Sequence, residues 1–547
     1  MDKRPIGVFD SGMGGLTAVR QLQAILPGED IVYFGDTGRV PYGSRSPETI
    51  RQCAEQDIRF LLSQDVKFLL AACGTTPVGP NYKVPDNALV QAPSSQAPFL
   101  SSATPRQLYS AEALPPRWWH LYDDPVLDRL VDQALAHNTD LRQAAANLER
   151  VQALQAEVDD SQRPHLSVNG GPGYGHVSGL SMLKPGTVPR TQGTYSAGLS
   201  LSYQIDATGQ IRRAIEAAQA STDAAQAALE MARVHVVAST ARAYAGVCAS
   251  GLRLQTAETS VRLQQEALQI TERLQGAGRV GVIDTARARG QLEQLQASLP
   301  TLKAQRQSEL FQLATLMGTP PRDFPADVAT CTTPPRVGSV LPVGDGAALL
   351  KRRPDVRQAE RELAAATARI GVATADLYPK ITLGLSAGTA GPLSDFGRKD
   401  TTSWSLGPLI SWSIPDTGAV QARIDQAQAS NRGALAHFDG AVLTALRETE
   451  TALDAYAREL DRRASLQAAR DASATVAEQA RRLYRGGKTG YLDALDAERA
   501  LAASEAALAA SQAQLADDQI NLFLALGGGW EAAPERTASP ASRIVAR

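Results

Sequence analysis

The chain has 547 residues, and its 55 basic and 57 acidic side chains give a formal net charge of −2, which excludes a strongly basic nucleic-acid-binding surface. Only 5% of the residues are aromatic, and alanine is abundant after residue 210, which favours long helices packed through small side chains over one thick core. No run of about 18 apolar residues is present, so the sequence predicts no transmembrane helix, although membrane strands remain possible.

Four cysteines are present, at Cys53, Cys73, Cys248 and Cys331. They form no CxxC motif and no paired spacing. The sequence therefore indicates neither a disulfide framework nor a zinc site.

The first 75 residues alternate between short apolar runs and helical stretches. Strands are predicted at 6–10, 31–34 and 66–72, and helices at 16–26 and 47–62, which is the pattern of a parallel sheet. Polar side chains follow the predicted strands, where folds of this kind bind ligands. They are Asp10, Ser11, Asp36 and Cys73.

Three motifs in this segment resemble the N-terminal part of glutamate racemase. They are FDSGMGGL at 9–16, YFGDTGRVPYG at 33–43 and ACGT at 72–75. The resemblance implies a cofactor-independent enzyme with two thiols, in which Cys73 is the first thiol and Asp10 its polar neighbour. The residues that would hold glutamate are Ser11, Tyr42, Gly43 and Thr75.

Two departures from that family argue against racemase activity. Gly74 stands where the family has asparagine, and the family's second cysteine, followed by Thr-His, is absent. Deprotonation on one face of a carbon needs a second acid on the other face. About 75 residues are also too few to bury the surface of such a domain. We therefore expect an incomplete α/β fragment without catalytic residues, while a racemase-related protein remains the alternative.

The chain after this fragment begins with an extended segment rich in proline, serine and alanine, at about 77–124. Helices are predicted at 125–136 and 141–158. Strict period-two alternation then predicts a strand at 194–206, of a length suited to a tilted membrane strand, and the glycine-rich run at 165–175 is a weaker candidate.

A very long helix is predicted next, from 209 to 276, because this stretch lacks proline and its apolar residues step by three and four. At about 1.5 Å per residue it would be about 100 Å long. The chain turns at 276–281 and returns in a helix at 284–316. Pro300 predicts a kink or a break in that returning helix.

The same landmarks then repeat. The DLRQA motif at 140–144 recurs as DVRQA at 355–359, the strand pair recurs at 381–387 and 404–414, and a second long helix is predicted at 418–485. Five landmarks recur at an offset of 209, namely Gly209 as Gly418, Gly278 as Gly487, Gly281 as Gly490, Asp284 as Asp493 and Gly318 as Gly527. A constant offset over so many positions indicates a tandem duplication.

Each half thus contributes two amphipathic strands and one long helical hairpin. Four strands cannot close a barrel, and an open sheet edge is not viable in lipid. Membrane barrels have about eight strands or more, so the strands predict a homo-oligomer, and three copies would supply twelve. A soluble coiled-coil scaffold is the alternative.

This part of the chain, about 73–530, resembles the TolC-like outer-membrane factors of the lipoprotein-type efflux systems. The matching motifs are VGPNYKVP at 78–85, WW at 118–119 with DPVL at 124–127, RRPDV at 352–356, LYPKI at 377–381 and GYLDALDA at 490–497. The resemblance implies a mainly α-helical homotrimer with a twelve-stranded barrel in outer-membrane lipid and an α-helical tunnel in the periplasm. It also implies a passive exit duct for drugs or small solutes that works with a periplasmic adaptor protein and an inner-membrane efflux pump, without a cofactor.

The chain is therefore expected to comprise five segments. They are the racemase-like fragment at 1–75, the extended segment at 76–124, the first channel repeat at 125–335, the second at 336–530 and a disordered tail at 531–547.

The expected functional residues of such a channel lie at the hairpin tips. By resemblance Asp493 and Asp496 match aperture carboxylates, and in a trimer they would form a periplasmic gate of like charges. The alternative is that Asp493, like Asp284, only complements a helix dipole. The tip residues expected to contact the adaptor are Gly278, Gly281, Asp284, Gly487 and Gly490, and the glycines are also expected to allow tight turns.

Cys73 is also the expected site of lipid attachment, which would anchor a periplasm-spanning protein to the outer membrane. An exported lipoprotein needs a basic region and an apolar region before this cysteine. Polar residues such as Asp57 and Asp65 lie there instead. We therefore expect that a signal peptide is absent or has been replaced by the racemase-like start, through a fused or misassembled reading frame.

Overall fold

The computed structural model describes residues 4–10, 16–37, 47–71, 77–103, 107–176, 186, 188, 190–412 and 417–530. The strands are β1 (Ile6–Asp10), β2 (Ile31–Gly35), β3 (Phe68–Ala71), β4 (Tyr109–Ser110), β5 (His165–Gly175), β6 (Gln192–Ile205), β7 (Leu341–Pro342), β8 (Lys380–Pro392) and β9 (Thr402–Ser411). The helices are α1 (Leu16–Ile25), α2 (Pro47–Ser63), α3 (Pro93–Gln96), α4 (Pro125–His137), α5 (Thr139–Asp160), α6 (Gln210–Gly276), α7 (Val282–Gln296), α8 (Ser298–Leu316), α9 (Gly346–Arg352), α10 (Pro354–Ala375), α11 (Thr417–Arg485) and α12 (Tyr491–Ala525).

The chain forms two compact units, each assembled from separate stretches of sequence. Unit 1 comprises Met1–Lys83, Gln152–Thr222 and Glu362–Ala434, and unit 2 comprises Val84–Val151, Asp223–Arg361 and Leu435–Arg547. Each of the two sequence repeats contributes to both units.

Unit 1 contains the predicted N-terminal parallel sheet, in the order β2-β1-β3. Val8 is fully buried in it, and Asp10 and Asp36 are buried at the carboxyl ends of β1 and β2. The strand–helix alternation of this segment is therefore confirmed.

Unit 1 also contains a four-stranded antiparallel sheet, in the order β5-β6-β8-β9. Its register places one apolar row across all four strands, since Leu166 pairs with Leu201, Leu201 with Leu385 and Leu385 with Leu406. One residue further along, a row of serines crosses the same strands, at Ser167, Ser200, Ser386 and Ser405. The sheet thus has an apolar face and a polar face, as the period-two alternation predicted. In the described chain this sheet is open.

Arg213, at the start of α6, holds an N-terminal strap of unit 1, residues 77–81. Its buried guanidinium donates hydrogen bonds to the carbonyl oxygens of residues 77, 78 and 79 at 3.3, 3.0 and 3.1 Å and to Asn81 Oδ1 at 2.7 Å. Gly79 has a φ of +85°, and a Cβ there would lie 2.5 Å from Gly371 Cα. This close backbone approach explains why the strap contains glycine.

The long helices have nearly the predicted bounds. The 67 residues of α6 and the 69 residues of α11 each span about 100 Å at 1.5 Å per residue. The returning helix of the first hairpin is interrupted between α7 and α8 at Ala297, three residues before Pro300. The predicted break is confirmed, because proline is tolerated in the first turn of a helix but not in its interior.

Unit 2 has a core of aromatic rings and is held at the start of α10 by a buried arginine. Trp118 stacks on Phe523 with ring centroids 4.8 Å apart, and Trp118 and Trp119 are almost completely buried. The Arg353 guanidinium donates to Asp355 at 2.9 and 2.6 Å, to Glu448 at 2.9 Å and to the carbonyl oxygen of Ala525 at 2.9 Å. The RRPDV motif therefore joins the beginning of α10 to α11 and to the end of α12.

The cysteine prediction was wrong, because Cys248 and Cys331 form a disulfide. They are 83 residues apart, so no local spacing indicates the pair. They meet because α7 and α8 return antiparallel to α6. A disulfide of this kind is typical of an oxidising compartment such as the bacterial periplasm.

Among the described residues, no helix combines the length and the apolarity needed to cross a membrane.

Candidate functional site at the hairpin tips

The two hairpin tips have the same backbone geometry. Gly278 and Gly487 follow the ends of α6 and α11 with φ of +71° and +66°. In each turn a backbone N–H reaches five residues back, from Arg279 to the Leu274 oxygen and from Lys488 to the Leu483 oxygen, both at 2.9 Å. This is a Schellman-type helix end, in which glycine avoids the strain of a Cβ. The turn prediction for these two glycines is confirmed.

Gly281 and Gly490 take a different part in the turns. They precede α7 and α12 as N-caps with extended φ of −84° and −74°. Any residue can adopt this conformation, so turn geometry does not require glycine here. A role of these two positions in adaptor contact stays a prediction.

The predicted acidic residues follow the turns directly. Asp284 and Asp493 lie in the first turns of α7 and α12, and Asp493 and Asp496 are exposed. Asp284 lies 3.6 Å from Arg287 Nη1, and Asp496 lies 3.9 Å from Arg499 Nη1. Asp284 and Asp493 are thus placed to complement their helix dipoles. Exposure also leaves Asp493 and Asp496 accessible for a charged ring in an oligomer.

Within unit 2, the two hairpin tips are joined by an apolar cluster and a buried glutamine that the sequence did not indicate. Leu268 and Ala288 of the first hairpin pack against Tyr491 and Leu495 of the second. Gln264, only 3% exposed, donates from Nε2 to the carbonyl oxygen of Ala288 at 3.0 Å and to the Tyr491 hydroxyl at 3.3 Å. We call this group the tip lock. The GYLDALDA motif contains Tyr491, but no local signal identifies Gln264 as its partner.

A buried carboxylate lies one turn beyond the tip lock. Glu498 is 3.2 Å from Arg481 Nε, and within the described part of the chain its Oε2 is buried without a hydrogen-bond partner. Burial raises the pKa of Glu498, while Arg481 opposes the shift.

Apolar side chains are exposed at the very end of the first tip. Val282 and Ile283 are 70% and 67% exposed, and Leu492 is exposed at the second tip. Exposed aliphatic side chains beside a turn are suited to contact with another protein.

Only one of the predicted racemase-like residues, Asp10, lies within the described part of the chain. Asp10 is buried, and its carbonyl oxygen accepts the backbone N–H of Asp36 at 2.8 Å. Five predicted residues lie outside the described residues, namely Ser11, Tyr42, Gly43, Cys73 and Thr75. The predicted lipid-attachment site, which is also Cys73, and the tail at 531–547 lie outside them as well.

The duplicated helical hairpins and the amphipathic antiparallel sheet define an outer-membrane channel subunit. A sequence model of the family described as outer membrane efflux protein matches residues 130–319 and 347–528. The chain belongs to this family. It is therefore an outer-membrane efflux channel and not an enzyme. Channels of the family form homotrimers and work with periplasmic adaptors and inner-membrane pumps.

Individual relatives agree with this assignment. Nodulation protein T of Rhizobium leguminosarum bv. trifolii is 30% identical over 458 residues, which is 83% of this chain and 94% of the relative. The pyoverdine export outer membrane protein OpmQ of Pseudomonas putida is 30% identical over 85% of this chain and 96% of its own. The structure of the outer-membrane channel OprN superposes with a TM-score of 0.77 at 35% identity, over 83% of this chain and 99% of OprN. These similarities give no support to a racemase.

Proposed function

We propose that three copies of this chain form a passive exit duct for drugs or small solutes, with a twelve-stranded barrel in outer-membrane lipid and a helical tunnel in the periplasm. The observation that supports the barrel is the two-faced sheet of unit 1. In the described chain, β5 and β9 pair on one side only, so the two edges are available to neighbouring copies. A barrel of three such sheets would leave no open edge.

The two faces of the sheet suggest which side meets lipid. Leu406 and Trp404 are 63% and 78% exposed on the apolar face, as suits contact with acyl chains. On the other face, Ser167 and Ser200 hydroxyls lie 2.6 Å apart and those of Ser386 and Ser405 lie 2.8 Å apart. A polar serine row is suited to a water-filled lumen.

Neighbouring residues on opposite faces of β9 test this arrangement. Leu406→Arg places a charge in lipid, which costs about 2–4 kcal/mol near the bilayer midplane. Ser405→Arg is the matched control, because it places the same charge in the lumen. We expect Leu406→Arg to lower the yield of folded trimer in outer-membrane fractions while Ser405→Arg keeps it. Equal yields of the two variants would contradict the barrel.

The proposal assigns the hairpin tips to the periplasmic mouth. There Asp493 and Asp496 of three copies form the gate, and Val282 and Ile283 with the tip glycines contact the periplasmic adaptor, which connects the duct to an inner-membrane pump. The exposure of these side chains supports this assignment.

The proposal assigns lipid attachment to Cys73. The strap held by Arg213 follows this position by four residues and would start the lipid-anchored chain beside the sheet of unit 1. Metabolic labelling with palmitate tests the assignment. Label should enter the wild-type protein and be lost in Cys73→Ser, and label retained in that variant would refute the site.

The domain boundaries follow from the same proposal. Residues 1–75 are an incomplete racemase-like fragment without a role in efflux, and residues 76–124 precede the channel repeats at 125–335 and 336–530. Replacing the fragment by a conventional lipoprotein signal peptide should preserve efflux in a cell lacking its own channel. Loss of efflux after this replacement would contradict the boundary.

A further inference from the structure

Unit 2 contains a cavity of about 640 Å³. Its walls come from the start of α4, from α6, α11 and α12, and from the segment that follows Cys331. Volumes of about 300–1,000 Å³ are typical of sites for small organic ligands.

Two arginines line this cavity, Arg336 and Arg463. They are close enough that Arg336 adds to burial in lowering the pKa of Arg463, and both lie near the Tyr456 hydroxyl. Among the described residues no ion pair is found for either arginine, and Arg463 Nε is buried without a hydrogen bond. Two guanidinium groups that line one cavity without a carboxylate partner favour the binding of an anion there.

The carboxylates of the cavity do not neutralise this pair. Asp124 accepts hydrogen bonds from the backbone N–H groups of Val126 and Leu127, at 2.9 and 3.2 Å, and from the Tyr244 hydroxyl at 2.8 Å. The Asp124 carboxylate therefore caps the N-terminus of α4 and does not pair with the two arginines. Asp123 is exposed to solvent.

The wall that holds Arg336 is fixed on both sides. The disulfide joins Cys331 to α6. Gln519 of α12 accepts the backbone N–H of Val337 at 3.0 Å and donates to its carbonyl oxygen at 3.1 Å. The guanidinium pair is thus attached to a preorganised frame, which lowers the entropy cost of binding.

The remaining lining combines apolar and aromatic side chains with the polar Thr333 and Gln512. Pro334, Pro335, Leu515 and the largely buried ring of Tyr122 face the same cavity. Within the described residues, the Tyr122 hydroxyl is buried without a hydrogen-bond partner. A ligand suited to this lining has an apolar body and one anionic group.

We propose that this cavity binds a small organic anion, a carboxylate or sulfonate on an apolar body, through Arg336 and Arg463. A ligand here would contact α6, α11 and α12 together with the segment that follows Cys331.

Calorimetry on the trimer in lipid nanodiscs tests the proposal, with naphthalene-2-sulfonate as probe and the neutral naphthalene-2-sulfonamide as matched compound. Empty nanodiscs supply the blank. We expect the sulfonate to bind more tightly than the sulfonamide. Because a hydrogen bond to a charged group contributes about 1.5–3 kcal/mol, Arg336→Gln and Arg463→Gln should each weaken sulfonate binding about tenfold or more.

Arg458→Gln is the control variant, since Arg458 is an exposed arginine of α11 that pairs with Asp454. It should bind the sulfonate as the wild type does. If Arg463→Gln does not assemble, the exposed Arg336 decides the question. Equal binding of the two compounds, no binding of the sulfonate at millimolar concentration, or unchanged affinity in Arg336→Gln would overturn the proposal. A cryo-electron microscopy map with the probe should show density between the two guanidinium groups, and density only elsewhere would also overturn it.

Discussion

The tip lock gives the sharpest functional prediction. Gln264→Leu keeps the volume of the side chain but removes its hydrogen bonds to the Ala288 carbonyl at 3.0 Å and to the Tyr491 hydroxyl at 3.3 Å. The Ala288 bond lies within the first hairpin, so only the Tyr491 bond joins the two hairpins, with a net contribution of about 1 kcal/mol per subunit. If opening separates the two tips, the equilibrium shifts toward the open state by about fivefold per subunit.

Single-channel recording in planar bilayers measures this shift. We expect Gln264→Leu to raise the open probability and to sensitise cells to large antibiotics that the outer membrane normally excludes. The matched control is Gln265→Leu, because Gln265 is the next residue of α6 and is exposed. Identical open probability of wild type, Gln264→Leu and Gln265→Leu would refute the reasoning.

The remaining predictions concern charge, stability and covalent structure. Asp493→Ala combined with Asp496→Ala should raise single-channel conductance, because it removes like charges from the proposed gate, and unchanged conductance would exclude that gate. Arg353→Met should lower the thermal stability of the trimer, because loss of one partner from a buried ion-pair network costs about 3–5 kcal/mol, reduced here by the partial exposure of Asp355 and Glu448. Arg447→Met, on the exposed Arg447, should leave the melting temperature within about 1 °C. In protein purified from the outer membrane, Cys248 and Cys331 should resist alkylation until a reductant is added, and labelling of both without reductant would contradict the disulfide. Replacing both cysteines by serine should destabilise the folded protein by about 4.5 kcal/mol, the chain-entropy value for a closed loop of 83 residues. The loss should be detected as faster proteolysis after Cys331. Replacing the free Cys53 by serine should not accelerate that cleavage.

Local patterns allowed much of the fold to be predicted. The strand at 165–175 and the end of the long helix at Gly276 agree with the sequence prediction, because side-chain periodicity and turn glycines act over a few residues. The identical left-handed conformations of Gly278 and Gly487 follow from the offset of 209 in the same way. Family membership rests on the same motifs and spacing.

The contacts between distant segments required the tertiary structure. Gln264 and Tyr491 are 227 positions apart, Cys248 and Cys331 are 83 apart, and Arg336 and Arg463 come to line one cavity only after the hairpins have packed. In a long helix many glutamines and arginines are locally equivalent, and the packing of a second helix decides which of them are buried. The sequence by itself therefore determined the periods, the turns and the duplication, because these depend on neighbours along the chain. The tip lock, the disulfide and the arginine cavity were decided only by the way the antiparallel helices lie against one another.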